Sequence, residues 1–450
     1  MNYQLAIVGG GPAGYTAAEM AARAGLSVVL FEKNAVGGVC LNEGCIPTKT
    51  LLYSAKLYSH FQSASKFGLT CSDYTFDLTK IISRKNKIIR KLNAGIRARL
   101  KDCGVMLVTG TASIADYSSA MVTISVGEEK YQAERLILAT GSNTFVPPIP
   151  GLDTLTHYWT SREALSVTQI PERLLVVGGG VIGMEFAHFF HSLGSQVTVV
   201  EMLPEILAGF DQETARLFRE TCVSRGITFY LSSSVKHLEE GIATVDTGDT
   251  VVPVSFDEIL IAAGRRPSFD SIDLQLMPLH FDGKRIHVNE WMQTSLPNVY
   301  AVGDITGVSM LAHTAEREAA VAVHHILGIP DAMSYDAIPG VLYTSPEVAC
   351  VGYTEEQLKK WELTYTVHRL PMSYAGRFVV ENEGLNGFCK VLVSTENTVL
   401  GVHLIGSPSS EFIVAATMSI EQKLTLDEWK KTIFPHPTVS EILKEAIMAD

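Results

Sequence analysis

Leu5-Ala-Ile-Val-Gly-Gly-Gly-Pro-Ala-Gly14 sets a short apolar run directly before a glycine turn. A strand, then Gly9-x-Gly11-x-x-Gly14 opening a helix, is the start of a dinucleotide-binding unit, in which the backbone closes on a pyrophosphate at a helix N-terminus. Pro12 suits the first turn of that helix, which is expected to run to about Ala24 with Gly25 as its stop. The next strand, Ser27 to Phe31, delivers Glu32, an acid placed to accept from ribose hydroxyls. One glycine pattern of this kind is a weak signal by itself.

The unit returns at mid-chain. Leu174-Leu-Val-Val177 precedes Gly178-x-Gly180-x-x-Gly183, a helix stops before Gly194, and the strand Gln196 to Val200 reaches Glu201. The distance from Gly9 to Glu32 equals that from Gly178 to Glu201, and the distance from Gly14 to Gly25 equals that from Gly183 to Gly194. Two unrelated glycine-rich turns would not share both spacings. The repeat predicts an α/β fold with two Rossmann-like dinucleotide-binding domains.

Between the copies, Lys80 to Leu100 reads as an amphipathic basic helix with a solvated outer face. Strand-like runs at Met106–Val108 and Met121–Ile124 lead to Arg135-Leu-Ile-Leu-Ala-Thr-Gly-Ser142. Pro147-Pro-Ile-Pro-Gly151 is the expected domain crossing, and Ile259 to Pro267, with Gly264 in its turn, the exit from the second nucleotide domain. Asn298-Val-Tyr-Ala-Val-Gly-Asp304 is a strand ending in a Gly-Asp turn. Ligands of open α/β sheets sit at the carboxyl ends of strands, which makes Asp304 a candidate cofactor contact. From about Pro339 shorter strands and then two helical patterns predict a separate α+β domain. The boundaries drawn are 1–146 and 269–337 for the first nucleotide domain, 147–268 for the second, and 338–450 for the last.

A second stretch carries the chemistry: Cys40-Leu-Asn-Glu-Gly-Cys-Ile-Pro-Thr-Lys49. In a regular helix, residues five apart have Cα atoms about 8 to 9 Å apart, beyond the roughly 7 Å a disulfide tolerates. If the two cysteines pair, the backbone between them must leave the helix, and Gly44 is suited to that. Lys49, four residues past Cys45, shares its helical face and favours a thiolate there. A reactive dithiol is the favoured reading, with two unrelated core thiols left open on spacing alone. A metal site would need more cysteines or histidines at short spacing, and none follow, so no metal is expected.

Composition narrows the class. The chain has 450 residues, 48 acids against 36 bases and a net charge of -12. With no basic run or tail, neither nucleic acid nor an anionic membrane is an expected partner. No apolar run approaches the roughly 20 residues of a membrane span. The first basic residue is Arg23, so the start lacks the basic region of a signal peptide. Seven scattered cysteines fit a reducing compartment, where a close pair is more often catalytic than structural. The expected location is cytoplasmic, with a mature form whose targeting segment is gone as the alternative.

Taken together, these motifs resemble the flavin-dependent pyridine nucleotide-disulfide oxidoreductases, and within them the dihydrolipoyl dehydrogenases, the E3 components of 2-oxo acid dehydrogenase and glycine cleavage systems. The resemblance runs nearly end to end, through Leu311-Ala-His-Thr-Ala315, Tyr343-Thr-Ser-Pro-Glu-Val348 and His436-Pro-Thr-Val-Ser-Glu441. It implies an FAD domain, an NAD domain and a C-terminal interface domain that builds a homodimer. It also implies a lipoyl-bearing partner, an E2 acyltransferase or a glycine cleavage H protein.

Carried onto this chain, the resemblance assigns Gly9, Gly11, Gly14, Glu32, Thr140, Gly141, Ser142, Asp304, Ala312 and His313 to FAD, with Lys49 against the flavin and paired with Glu185. Gly178, Gly180, Gly183 and Glu201 fall to NAD, with Gly264 a further cofactor contact. Cys45 would lie next to the flavin and Cys40 would meet the substrate thiol. His436, oriented by Glu441, would serve the other subunit's dithiol as acid and base. Read from the residues alone, His436 between two prolines is equally a turn residue, and Glu441, three after Thr438, fits a capping box.

Val39 and Phe434 depart from the family pattern, where threonine and histidine are common. Glutathione-type reductases use NADPH and need basic residues after the second strand of the nucleotide domain. Here Glu201-Met-Leu-Pro-Glu205 offers acids, which favours NAD. The C-terminus lacks the vicinal cysteines typical of mercuric reductases. A flavoprotein kept only as an assembly subunit would not need the full set of dithiol, lysine, histidine and glutamate.

Overall fold

The computed structural model of the chain describes residues 2–449 apart from 271, 273–275, 383 and 385. By its internal contacts the chain divides into two compact units: residues 1–51, 77–145 and 264–334, and residues 52–76, 146–263 and 335–450.

In the first unit, β1 (Asn2–Val8) runs parallel to β2 (Val28–Glu32), joined by α1 (Pro12–Arg23). α2 (Gly38–Glu43) and the first residues of α3 (Cys45–Ser63) follow, α3 passing out of this unit after Leu51, and then α4 (Leu78–Asp102). α4 extends two residues beyond the expected stretch at each end, because the Asp77 side chain caps the Lys80 N–H and Cys103 closes the far end. Its polar face is less uniform than its sequence suggests, since Lys85 is 3% exposed and burial lowers its pKa. β3 (Met106–Thr109), β4 (Ala112–Tyr117), β5 (Val122–Val126) and β6 (Glu129–Leu138) complete the sheet in the order β3-β2-β1-β6-β5-β4, with Val299–Ala301 parallel to β6. Leu5 and Ile7 enter one core with α1 and helix Ala312–Leu327, whereas Ala6 and Val8 enter the core on the other face. Both faces of β1 are thus covered, which explains its unbroken apolar run.

The second unit repeats the plan. Arg173–Val177 pairs in parallel with Gln196–Val200 and Glu258–Ile261, and helix Val181–Ser192 follows the glycine turn. The tail forms a five-stranded antiparallel sheet of Gly340–Leu342, Val348–Gly352, Val399–Ile405, Phe388–Ser394 and Tyr365–Pro371, in that order. Among the described residues three helices follow the last strand of this sheet rather than the two expected: Ser409–Glu421, the four-residue Leu426–Trp429, and Glu441–Met448. The extra turn is too short to show a helical period in sequence, but Thr425 and Glu428 give it a complete capping box. Among the described residues no helix is long and apolar enough to cross a membrane.

Candidate active site

The two glycine turns are built alike. Gly9 has φ +107° and Gly178 φ +112°, and a Cβ on either would lie 2.1 Å from the Ala139 carbonyl oxygen or 2.4 Å from that of Ala262. Gly14 and Gly183 bring the helix start so close that a Cβ would lie 1.8 Å from the oxygen of Gly9 or 2.0 Å from that of Gly178. No side chain fits at these positions. The strand-end acids also match. Glu32 Oε2 accepts the Gly10 N–H at 2.7 Å and Oε1 the Asn34 N–H at 2.8 Å. Glu201 Oε2 accepts the Gly179 N–H at 2.6 Å and Oε1 the Leu203 N–H at 2.8 Å. Each carboxylate is fixed beside the open backbone of its own turn, the arrangement a dinucleotide's ribose and pyrophosphate require. Both cradles fit such a cofactor.

Around the first cradle, Thr140 Oγ1 donates to the Ser268 carbonyl at 2.6 Å, and the Gly141 carbonyl accepts the Ser268 N–H at 2.9 Å. Asp304 lies in a 3₁₀ turn, Gly303–Thr306, directly after its strand. Arg265 Nε donates to Ser142 Oγ at 2.8 Å, and Ser142 Oγ donates to Asp304 Oδ2 at 2.5 Å. Glu318, wholly buried, accepts the Gly303 N–H at 2.5 Å and holds the same turn. Ala312 is the first residue of its helix, and His313 beside it is exposed. Gly264 has φ +107°, and its carbonyl accepts the Phe145 N–H at 2.9 Å.

In the second unit, Gly180 caps helix Val181–Ser192, and Glu185 sits within it, 3% exposed, accepting the Tyr343 N–H at 3.1 Å. Glu205, an acid of the segment after Glu201, is held at 2.8 and 2.9 Å by Arg219. The tertiary structure therefore brings an arginine to a segment that contains none.

The dithiol stretch breaks its helix as expected. α2 ends at Glu43, Gly44 takes φ −142° and ψ −104°, and α3 begins at Cys45. Cys40 and Cys45 are partly exposed. The Cys40 thiol is hydrogen-bonded to Cys45; that bond, then burial, pushes its pKa far up, while the Lys49 cation pulls the other way. The two cysteines thus form a near pair, which fits the dithiol reading better than two unrelated core thiols. Sequence reading missed what holds this stretch in place. Gly38 has φ +55°, and a Cβ there would lie 2.7 Å from Gly11 Cα, so α2 starts against the phosphate loop. Asn42 Nδ2 donates to the carbonyls of Gly38 at 2.9 Å and Val36 at 3.2 Å, and Asn93 of α4 donates to Val36 at 2.6 Å. The pair Gly37-Gly38 was the available signal.

At the chain's end, His436 is joined through Nδ1 to Glu441 Oε1 at 2.9 Å. The His436 side chain is 80% exposed while that of Glu441 is 12% exposed. Glu441 Oε2 accepts the Thr438 N–H at 2.9 Å; this bond, then the one from His436, holds its carboxyl below the usual range. The capping box expected of Thr438 and Glu441 is only half present. The helix begins at Glu441 itself, and the Thr438 hydroxyl donates to the Pro435 carbonyl at 2.8 Å instead. One carboxylate thus serves both the turn and the imidazole, and an oriented, exposed imidazole is equipped to move a proton.

Two phosphate cradles on one chain with a facing thiol pair define a disulfide oxidoreductase of the two-dinucleotide class. Residues 3–319 match the model of the pyridine nucleotide-disulphide oxidoreductases and residues 338–447 their dimerisation domain, and the chain belongs to that family. Similar curated proteins include the dihydrolipoyl dehydrogenases of Thermus scotoductus, 38% identical over 100% of this chain and 97% of that one, and of Bacillus subtilis, 35% identical over 99% and 98%. Among solved structures, the HOCl-induced flavoprotein disulfide reductase RclA of Escherichia coli is 28% identical over 99% of both chains, with a TM-score of 0.86. LpdA of Mycobacterium tuberculosis shares the fold, with a TM-score of 0.91 at 24% identity. The fold class read from the repeat holds, and the dimerisation domain supports a homodimer.

Proposed function

We propose that this chain oxidises protein-bound dihydrolipoyl groups to the lipoyl disulfide with NAD+ as acceptor, as an E3 component. The observation that carries the reading is the Cys40–Cys45 contact set against the phosphate loop, with Lys49 on the face of Cys45. Full-length similarity to dihydrolipoyl dehydrogenases supports the substrate class.

In this reading the resting pair is a disulfide. His436 of the partner subunit takes the proton of one substrate thiol, because the thiolate is the nucleophile. That thiolate attacks the Cys40 sulfur, the Cys40–Cys45 bond breaks, and Cys45 leaves as a thiolate beside Lys49. The second substrate thiol loses its proton and closes the lipoyl ring, freeing Cys40 as a thiol. Two electrons and two protons have left the substrate. FAD held by this chain would supply the two-electron chemistry that links the reduced dithiol to NAD+. Gly9, Gly11, Gly14, Glu32, Thr140, Gly141, Ser142, Asp304, Ala312 and His313 would hold the first cofactor, and Gly178, Gly180, Gly183 and Glu201 the second, with Gly264 a further cofactor contact. Glu441 orients His436, and Glu185 is assigned to pairing with Lys49.

The same reading divides the chain at 146, 268 and 337, names an E2 acyltransferase or a glycine cleavage H protein as partner, and places the protein in the cytoplasm. The test is the initial rate of NADH formation from dihydrolipoamide, with NADP+ as the parallel acceptor. Fast NADH with little NADPH is expected. A silent assay from the FAD-loaded dimer would overturn the substrate assignment.

A further inference from the structure

The chain after each strand-end acid loops back onto its own glycine turn. In the first unit the Gly37 N–H, five residues beyond Glu32, donates to the Gly10 carbonyl at 2.7 Å. In the second the Leu207 N–H, six residues beyond Glu201, donates to the Gly179 carbonyl at 2.9 Å. Ile206, 2% exposed, lies so close to Gly179 that a Cβ there would meet its Cγ2 at 2.7 Å. The same strap, residues 202–207, supplies the Leu203 N–H that Glu201 Oε1 accepts at 2.8 Å. One segment therefore holds both the acid and the middle peptide of the turn. Each strap is anchored by a later helix. Asn93 of α4 holds the first at the Val36 carbonyl, at 2.6 Å. Arg219 of helix Gln212–Ser224 holds the second through Glu205, its Nε and Nη2 donating to the two carboxylate oxygens at 2.8 and 2.9 Å.

We infer that Glu205 and Arg219 form a positioning pair that clamps the 202–207 strap onto Gly179 and so presets the second cradle for its dinucleotide. The inference rests on the NAD reading above and adds the residues that keep Glu201 and the turn in place before the nucleotide arrives. Leu207 sits at φ +55°, in the left-handed region that side chains disfavour, so the strap does not hold this shape by its own preference. A two-pronged guanidinium–carboxylate contact fixes direction as well as distance. The Arg219 and Glu205 side chains are 21% and 15% exposed, so salt screens them less than a surface pair. Glu205 Oε1 also accepts the Ile206 N–H at 3.0 Å, which carries the hold into the residue lying on Gly179. At the other end the Leu203 carbonyl accepts the Ser232 N–H at 3.0 Å, so the two ends are held separately. Neither member of the pair has to touch the nucleotide. A released strap must be ordered again on binding, and that cost appears as lost affinity.

The test is a calorimetric titration of the oxidised, FAD-loaded protein with NAD+, beside NADH saturation of the diaphorase reaction with an artificial acceptor. Arg219→Gln is expected to weaken NAD+ binding about tenfold, equal to 1.4 kcal/mol. Its KM for NADH should rise by a similar factor, with kcat falling less. Glu205→Gln should match it, and the double variant should bind no more weakly than either single one, because the two residues act as a unit. Arg219→Lys, which keeps the charge without the second prong, should lie between. Amide hydrogen exchange of peptides covering residues 202–207 should be faster in Arg219→Gln before any nucleotide is added.

An Arg219→Gln variant with parental NAD+ affinity and NADH KM overturns the inference, whatever its urea midpoint, because the pair would then serve stability alone. So does a double variant whose loss is the product of the two single losses. Failure of the NAD reading gives a different result. The parent itself would then show no saturable NAD+ binding, and that outcome overturns the inference and the NAD reading together. A silent dihydrolipoamide assay beside an intact tenfold loss of NAD+ affinity would remove the substrate assignment and uphold the inference.

Discussion

Lys390 Nζ lies 2.8 Å from Asp211 Oδ2, with the two side chains 1% and 0% exposed. Glu213 and Glu355 join the same ammonium at 2.9 and 3.0 Å. Lys390 belongs to a row across the antiparallel sheet in which Arg369, Lys390, His403, Cys350 and Gly340 are successive cross-strand neighbours. The residues meeting this row include Asp211, which caps helix Gln212–Ser224 through the Thr214 N–H at 3.1 Å. Replacing the lysine strands the buried Asp211 carboxylate, a change that typically costs about 3–5 kcal/mol. Lys390→Met is therefore expected to lower the urea midpoint strongly, and pairing it with Asp211→Leu should recover part of the loss.

The same cluster sets an acid limit. Burial opposes ionisation of Glu355, yet hydrogen bonds from Lys359 and Lys390 bring its pKa down to about 2. Asp211 is likewise desolvated, but the His403 charge and Lys390 hold its carboxyl below the usual range. Carboxyls depressed in the folded state add stability above their unfolded values of about 4. The unfolded chain takes up protons first, so that stability is lost as pH falls from about 4 towards 2. Urea midpoints between pH 7 and 3 should drop at the acid end, and Lys390→Met should flatten the drop.

His436→Gln should reduce dihydrolipoamide oxidation by roughly 10²- to 10⁴-fold, the usual contribution of a positioned acid-base. Glu441→Ala should lose less, because the imidazole stays and only its orientation is released. Both variants should keep diaphorase activity with an artificial acceptor. Initial rates measured in parallel decide it, and a near-normal His436→Gln would make the histidine a turn residue.

Cys45→Ser should abolish lipoamide turnover, since no disulfide remains for the substrate thiolate to open. Reduction of an artificial acceptor by NADH should survive. Equal loss of both activities would count against a dithiol relay.

Gly183→Ala places a methyl group 2.0 Å from the Gly178 carbonyl oxygen. The helix must retreat from its turn, so NADH titration should show at least about tenfold weaker binding, equal to 1.4 kcal/mol, while bound FAD is retained. Simultaneous loss of FAD would show that the two cradles do not behave independently.

Much of this was readable along the chain because it depends on local spacing. The glycine turns, the strand-end acids Glu32 and Glu201, and the break at Gly44 are set within one β-α-β stretch or one helical turn, where backbone sterics act over a few residues. The fold class followed from finding that stretch twice. His436 and Glu441 were legible only through resemblance, because a histidine between prolines carries no local mark of its use. Their 2.9 Å bond supplies the orientation that the sequence leaves undecided.

The sequence by itself determined two nucleotide cradles, a thiol pair outside a regular helix, and a composition that points away from nucleic acid. Only the tertiary structure decided that Arg265 reaches Asp304 through Ser142, that Arg219 answers Glu205, and that Lys390 is buried among carboxylates. The physical reason is separation along the chain. These partners meet because sheets and helices bring distant residues together, and the charge that makes each pairing strong depends on burial, which a local pattern does not encode.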